Sequence, residues 1–385
     1  MTAGAELWQR VEDVLECRVQ MGLAATGGGS QLLTWLLNHP GASRAVVEAQ
    51  VPYHGAALEA YLGGPGPHRV EEETARALAG RAHARVRGFV GDDLPSLGLG
   101  CTAALATNRQ RRGQDRAHIA VRTSGHYHFW RLDFDKGAGD RLAQEDVVSR
   151  QALQGLTEAC GLDPVLPELP AWARLKQGQM PVDEALESLL LGEEEAVEMG
   201  LDGVLRSNSK GPGRLLFPGS FNPFHQGHQQ LAAAAAVQTG REVALELSVD
   251  NVDKPSLAYA EIARRLEPLK GQFPVVLSRA PTFLRKARLF ADCIFVIGYD
   301  TAARLVERKY YEEGRMEEAL DEIGQRGGRF AVAGRLHEGR YKTLGDVAVP
   351  AAYRPLFSAI PEAAFRQDIS STQIRASAQE EPPRD

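Results

Sequence analysis

The chain has 385 residues, 43% of them hydrophobic, enough for two or three domains that each bury a core. Its net charge of −6 argues against a general nucleic-acid binder, which needs a basic face. No stretch reaches the ~18 apolar residues of a membrane helix, and the start M-T-A-G-A-E-L-W lacks the basic and apolar regions of a secretory leader, so a soluble, cytoplasmic protein is expected.

Cys17, Cys101, Cys160 and Cys293 are scattered, show no C-x-x-C, and read as buried thiols of a reducing compartment. From Glu6 to Val19, the residues Leu7, Val11, Val14, Leu15 and Val19 fall near helical spacing. The run from Met21 to Ala25 predicts a short strand, leading through Gly27, Gly28 and Gly29 into a helix from Ser30 to Leu37. Strand, glycine turn and helix start together make a candidate anion site. A helix from Val70 to Val86, strands over Leu97 to Cys101 and Ile119 to Arg122, and a helix from Asp140 to Cys160 are predicted next. His126 and His128 alternate along a predicted strand and, with no third ligand nearby, read as surface polar residues.

Pro40, Gly41 and Ser43, then Tyr53, then L-G-L-G-C-T-A-A-L-A-T-N follow one another with a familiar spacing. They resemble the C-terminal domain of the CinA family, whose active members deamidate nicotinamide mononucleotide. The resemblance covers about the first 160 residues, one domain by size, and implies an α/β/α domain over 1–162. The family's nucleophilic serine falls on Thr26, its glutamate on Ala25 and its lysine on Leu58. A hydroxyl nucleophile needs a base or neighbouring cation, so the resemblance implies a fold that has lost the chemistry. The glycine turn is still expected to hold a phosphate through its backbone.

Pro164, Pro167 and Pro170 predict a stiff connector, Val182 to Met199 an acidic helical hairpin or one interrupted helix, and R-S-N-S-K-G-P-G-R a second linker. Together 163–212 reads as a Pro-rich and acidic helical linker.

Leu215 to Phe217 predicts a buried strand, stopped by Pro218 and Gly219, with Ser220 and Asn222 as candidate caps and a helix from Phe224 onward. His225 and His228 share one face of its first turn, and Gly227 leaves room for a phosphate between them. A plain βα turn with exposed histidines is the simpler reading, and a zinc site lacks further ligands at the right spacing. The whole run G-S-F-N-P-F-H-Q-G-H resembles the nucleotidylyltransferase signature G-x-F-[DN]-P-x-H-x-G-H. In that family the two histidines hold the phosphates of a nucleoside triphosphate during attack on its α-phosphorus.

Further strands are predicted from Glu242 to Val249, Pro274 to Arg279, Cys293 into Asp300, and Phe330 to Ala333. Helices are predicted from Tyr259 to Leu269, after a Thr282 cap, and from Tyr299 to Ile323; Arg285, Lys286 and Arg288 read as a solvated face. Lys254 follows a strand end, where an open parallel sheet binds ligands. The run I-G-Y-D, with Gly298 and Asp300, resembles the family's I-G-x-D along the nucleotide groove. D-I-S-S-T-Q-I-R resembles the I-S-S-T-x-I-R of nicotinate and nicotinamide mononucleotide adenylyltransferases, with three hydroxyls and an arginine at a helix start as a phosphate clamp. Residues 379–385 are expected to be disordered.

The expected fold is α/β: a doubly wound, Rossmann-like parallel sheet over 213–378 beside the CinA-like domain. The resemblance implies transfer of AMP from ATP to a phosphate monoester, nicotinamide or nicotinate mononucleotide, releasing pyrophosphate. It implies catalytic roles for His225, His228 and Lys254. It implies nucleotide contacts from Gly219, Ser220, Phe221, Gly227, Gly298, Asp300, Ser370, Ser371, Thr372 and Arg375. Mg²⁺ would arrive on ATP, with no protein metal site. The tryptophan that bacterial nicotinate mononucleotide enzymes place after I-G-x-D is missing, leaving Tyr310 or Tyr311 as stacking candidates. An adenylyl- or cytidylyltransferase for an unrelated phosphate ester and a non-enzymatic nucleotide sensor are the alternatives. No nucleic-acid or membrane partner is expected, and the sequence leaves a homo-oligomer open.

Overall fold

The computed structural model describes residues 3–63, 68–91, 94–108, 112–163, 168–207, 211–250, 257, 259–311, 315–337 and 339–366. The chain divides into two units, Met1–Glu187 and Ser188–Asp385.

The first unit is built on a six-stranded sheet in the order Val46–Gln50, Gln20–Thr26, Ser96–Ala104, Arg116–Arg122, His126–Phe134, Ala173–Pro181. The first three strands run parallel and the rest pair antiparallel. One face is the main core: Met21, Leu23, Leu97 and Leu99 meet Val11 and Val14 of helix Ala3–Glu16, Leu32 and Leu36 of Ser30–Leu37, and Val148 and Leu153 of Arg141–Ala159. The other face takes helix Glu72–Val90 at close range. A Cβ on Gly98 would lie 2.0 Å from the Ala79 carbonyl oxygen, and one on Gly100 2.1 Å from that of Ala75. Only glycine lets the helix backbone sit down on these strands.

The second unit is built on an eight-stranded sheet in the order Phe357–Ile360, Arg329–Ala333, Ile294–Gly298, Leu215–Pro218, Val243–Ser248, Val275–Ser278, Ala196–Met199, Leu205–Ser207. Its first six strands are parallel. Chain order runs outward from Leu215–Pro218 in one direction, then restarts at Ile294–Gly298 and runs outward in the other. That reversal is the switch point of a doubly wound sheet, where a crevice opens beyond the strands' C-terminal ends. Strand Val275–Ser278 is buried at every residue, as a parallel strand covered on both faces must be. Phe283, Phe295, Phe330 and Phe357 pack edge-on or stacked in the core beneath.

Several expectations are corrected. The stretch 163–212 is no linker: Ala173–Pro181 closes one edge of the first sheet, while Ala196–Met199 and Leu205–Ser207 pair antiparallel at the edge of the second. The acidic segment is one helix, Glu184–Leu191, followed by a strand. A polar edge strand such as Ala173–Pro181, and strands of three or four residues, carry too little apolar alternation to stand out in a sequence. The predicted helix from Tyr299 to Ile323 is broken into Tyr299–Leu305, a 3₁₀ turn Arg308–Tyr310 and Arg315–Gln325. Cys17 and Cys160, remote in sequence, bring their Sγ atoms to 2.7 Å, although all four cysteines are free thiols. Lys254, Ser370, Ser371, Thr372, Arg375 and the tail lie outside the described residues. No helix among the described residues is long and apolar enough to cross a membrane.

Phe295 has no exposed surface and touches two other rings of the second core. Phe295→Ala is expected to cost about 3–5 kcal/mol through lost burial and a residual cavity. A denaturant titration checks this by the fall in unfolding midpoint.

Candidate functional site

The turn after strand Leu215–Pro218 is shaped by one aromatic ring. Phe221 is 1% exposed and holds a left-handed φ of 45°. Its ring packs edge-on against Phe217 at 5.7 Å and against His228 at 5.2 Å between centroids. A Cβ on Gly219 would come within 2.7 Å of that ring, so the turn requires glycine there. Phe221 therefore supports the turn from below, and the surface it was expected to offer a nucleotide is left to Gly219 and Ser220.

Helix Gln226–Thr239 begins with His225 as its N-cap, in place of the Ser220 or Asn222 predicted. A helix start leaves backbone N–H groups without intrahelical partners. Here Gly227 N–H donates to His225 Nδ1 at 3.1 Å, and His225 N–H donates to His228 Nδ1 at 3.2 Å. The Gly227 amide is thus already bonded, so this residue contributes space rather than a free donor. The two imidazoles stack with centroids 3.8 Å apart. Phe224 stacks on the far side of His228 at 5.4 Å.

This bonding fixes the tautomer. A ring nitrogen that accepts from an amide carries no proton, so each neutral imidazole holds its proton on Nε2. Burial pushes His225 below the ordinary histidine value. It pushes His228 to about 4, with repulsion from His225 as the second cause. At neutral pH the turn presents two neutral N–H donors side by side.

Beside it, a cavity of about 290 Å³ opens at the switch point. Phe217, Gly219 and Ser220 line one wall, and Ile297, Gly298 and Thr301 line another. The histidines are outside this lining; Phe217 links the two, since its ring lies 5.9 Å from that of His228. Glu246 and Lys286 also line the cavity, and Lys286, predicted to be solvated, is 4% exposed. Its Nζ donates to both carboxylate oxygens of Glu246, at 2.6 and 2.7 Å. Arg265, a further residue absent from the sequence reading, lines the cavity and donates to the Ser220 carbonyl at 3.0 Å. Arg264 donates to Asn222 Oδ1 at 2.8 Å. Helix Tyr259–Leu266 is strongly amphipathic, which was the one legible sign that its arginines face a structured neighbour.

Gly298 borders the cavity with open space above its Cα. Asp300 is engaged elsewhere: Arg335 donates to its Oδ2 at 2.7 Å, and His337 Nδ1 lies 3.1 Å from its Oδ1. Tyr311 donates to the Leu305 carbonyl, whereas Tyr310 is exposed. Among the described residues no cluster of three or more His, Cys, Asp or Glu side chains gathers at metal-binding range.

The glycine turn of the first unit is built differently. Gly29, with φ 85°, caps helix Ser30–Leu37. The helix start is occupied by Glu145, 7% exposed, whose carboxylate accepts from Gly29 N–H at 3.0 Å, Ser30 Oγ at 2.9 Å and Gln31 N–H at 3.1 Å. The chain's own carboxylate thus fills the place expected for a ligand phosphate. Thr26 Oγ1 donates to the Pro52 carbonyl at 3.0 Å. Leu58 is buried against Ala24, Leu78 and Ala82. Arg141 reaches the Gly27 carbonyl and the Tyr53 hydroxyl, each at 3.2 Å.

A doubly wound sheet with a strand–glycine turn–helix anion site at its switch point is the architecture of a nucleotide-handling α/β domain. Residues 216–377 match the family model described as cytidylyltransferase-like, so the C-terminal part of the chain carries a domain of that family. A putative nicotinamide mononucleotide adenylyltransferase from Schizosaccharomyces pombe is 30% identical over 114 residues, 26% of this chain and 45% of that protein. The chain therefore spans less than half the length of this relative. Solved CinA-type structures are also similar. A competence or damage-inducible protein from Enterobacter asburiae is 18% identical, covering 40% of this chain and 95% of its own, with TM-score 0.31. A CinA superfamily protein from Enterobacter cloacae is 20% identical, covering 41% and 90%, with TM-score 0.30.

Two outcomes are expected. Because His228 titrates near 4 when folded, against 6.5 ordinarily, the unfolded chain takes up a proton first as pH falls. Its contribution to stability is complete above about 6.5 and is lost as pH drops to about 4. Denaturant titrations across that window should show a shallower pH slope for His228→Gln than for the wild type. Secondly, incubation with nicotinamide mononucleotide should release no ammonia that depends on Thr26, because its hydroxyl donates to the Pro52 carbonyl, and Ala25 and Leu58 can neither take a proton nor stabilise an alkoxide. Release lost in Thr26→Ala but kept in His228→Ala would contradict this.

Proposed function

We propose that the C-terminal unit transfers AMP from ATP to a phosphate monoester, nicotinamide or nicotinate mononucleotide, releasing pyrophosphate. The observation that carries this reading is the reciprocal histidine cap, which holds two neutral imidazoles with their Nε2 protons free for a ligand. The acceptor's phosphate oxygen attacks the α-phosphorus of ATP and pyrophosphate leaves. No side chain becomes covalent. Catalysis is alignment plus stabilisation of charge that grows on the phosphate oxygens. His225 and His228 donate to those oxygens, and Gly219 and Ser220 form the turn under the triphosphate. Lys254, which follows strand Val243–Ser248 in the sequence, assists. Ser370, Ser371, Thr372 and Arg375 bind the triphosphate tail, and Mg²⁺ arrives with ATP as part of the substrate. The cavity at the switch point takes the acceptor. Support for the adenylyl group and pyridine acceptor comes from I-S-S-T-Q-I-R and from the name of the fission-yeast relative.

Pyrophosphate release with each nucleoside triphosphate, against a panel of mononucleotides and other phosphate esters, tests the assignment. ATP with a pyridine mononucleotide should give the fastest turnover; a clear preference for CTP or an unrelated ester would replace this reading.

His228→Ala should lower kcat by about 10²-fold or more without unfolding the protein, because the lost donor acts most strongly in the transition state. A folded variant with near-normal kcat would remove the turn from the active site. Arg375→Ala should raise the KM for ATP while leaving acceptor affinity nearly unchanged. Steady-state kinetics with each substrate varied in turn separates the two effects.

A further inference from the structure

The wall of the cavity contains an ion pair that is almost fully buried: Glu246 is 1% exposed and Lys286 4%. Glu246 sits on the central strand Val243–Ser248, and Lys286 on helix Phe283–Leu289. A buried pair of this kind seldom stabilises a fold more than apolar residues of similar size would. Its place beside a cavity calls for another role.

Hydrogen-bond counting shows what the pair has left to offer. An ammonium has three N–H groups, and Lys286 directs bonds to Glu246 Oε1 at 2.6 Å and Oε2 at 2.7 Å. Oε1 also accepts from Ser278 Oγ at 2.6 Å, while among the described residues Oε2 takes only the lysine bond. One N–H of Lys286 and one lone pair of Oε2 remain, adjacent and with no net charge between them. The rest of the lining includes Phe217, Leu247, Leu257, Pro281 and Ile297, suited to an apolar ring.

We infer that the Glu246–Lys286 pair reads a carboxamide on the acceptor's ring and disfavours the corresponding carboxylate. The amide oxygen accepts from Lys286 and the amide nitrogen donates to Glu246 Oε2. A carboxylate has no proton to donate and brings a negative charge up to Glu246, leaving a buried acceptor facing another. The inference rests on the nucleotidylyltransfer reading and assigns its acceptor to the amide class.

The test uses the full chain with MgATP and, separately, nicotinamide mononucleotide and nicotinate mononucleotide, following pyrophosphate. The wild type should show a kcat/KM at least about 10-fold higher for the amide. Glu246→Gln leaves Lys286 without its counter-charge and removes the repulsion, so the amide-to-acid ratio should fall by about 10-fold or more. An unchanged ratio, with both acceptors slowed alike, would make the pair purely structural and overturn the inference, as would a wild type that prefers the acid. No pyrophosphate from either acceptor would instead sink the nucleotidylyltransfer reading. In that event, or if Glu246→Gln does not fold, calorimetric binding of the two mononucleotides to the wild type decides. Tighter binding of the amide supports the inference, and equal or tighter binding of the acid overturns it.

Discussion

The first turn of a helix has backbone N–H groups with no carbonyl behind them, and both glycine turns of this protein are shaped by how those donors are satisfied. At helix Gln226–Thr239 two histidines do it, each turning Nδ1 back onto the chain. One set of bonds caps the helix, fixes the tautomer and aims the remaining protons outward. Phe221 and Phe224 then clamp His228, and Gly219 exists to let the Phe221 ring pass beneath the turn. The site is preorganised because the same contacts that stop the helix from fraying also orient its donors.

At helix Ser30–Leu37 the same problem has the opposite solution. Glu145 brings a charge of the sign a phosphate would have, and takes the amide donors and the Ser30 hydroxyl for itself. Ala25 and Leu58, onto which the CinA resemblance would map a glutamate and a lysine, are both buried and apolar, and Leu58 is part of a small core. Here the strand–turn–helix frame serves packing. A shared backbone layout thus says little about chemistry until the groups that meet its free donors are known.

The sequence made the C-terminal architecture legible because strong local signals coincide there: apolar runs of strand length, glycine at their ends, and histidines at helical spacing. The reversed strand order follows from that alternation. What stayed hidden depends on partners far along the chain. Nothing near Gly29 announces Glu145, more than a hundred residues later. Lys286 lies among Arg285 and Arg288 and looks like a solvated stripe, until Glu246 is placed opposite it by the fold. Asp300, read as groove-lining, is held by Arg335 from a hairpin with no sequence signature. Inside 163–212, Ala173–Pro181 is a mostly polar edge strand, and Ala196–Met199 and Leu205–Ser207 are too short, at four and three residues, to show a pattern.

Those edge strands bear on how the protein can be dissected. A fragment cut by sequence motif would begin near residue 213, just ahead of the strand that carries the signature turn. It would strip Ala196–Met199 from Val275–Ser278 and leave that wholly buried strand with a bare row of amides and carbonyls. Such an edge is a template for intermolecular pairing. A stable fragment of the second unit must therefore carry some twenty residues that no motif search would include, and insolubility of a shorter one would reflect a missing sheet edge rather than a fault in the signature turn.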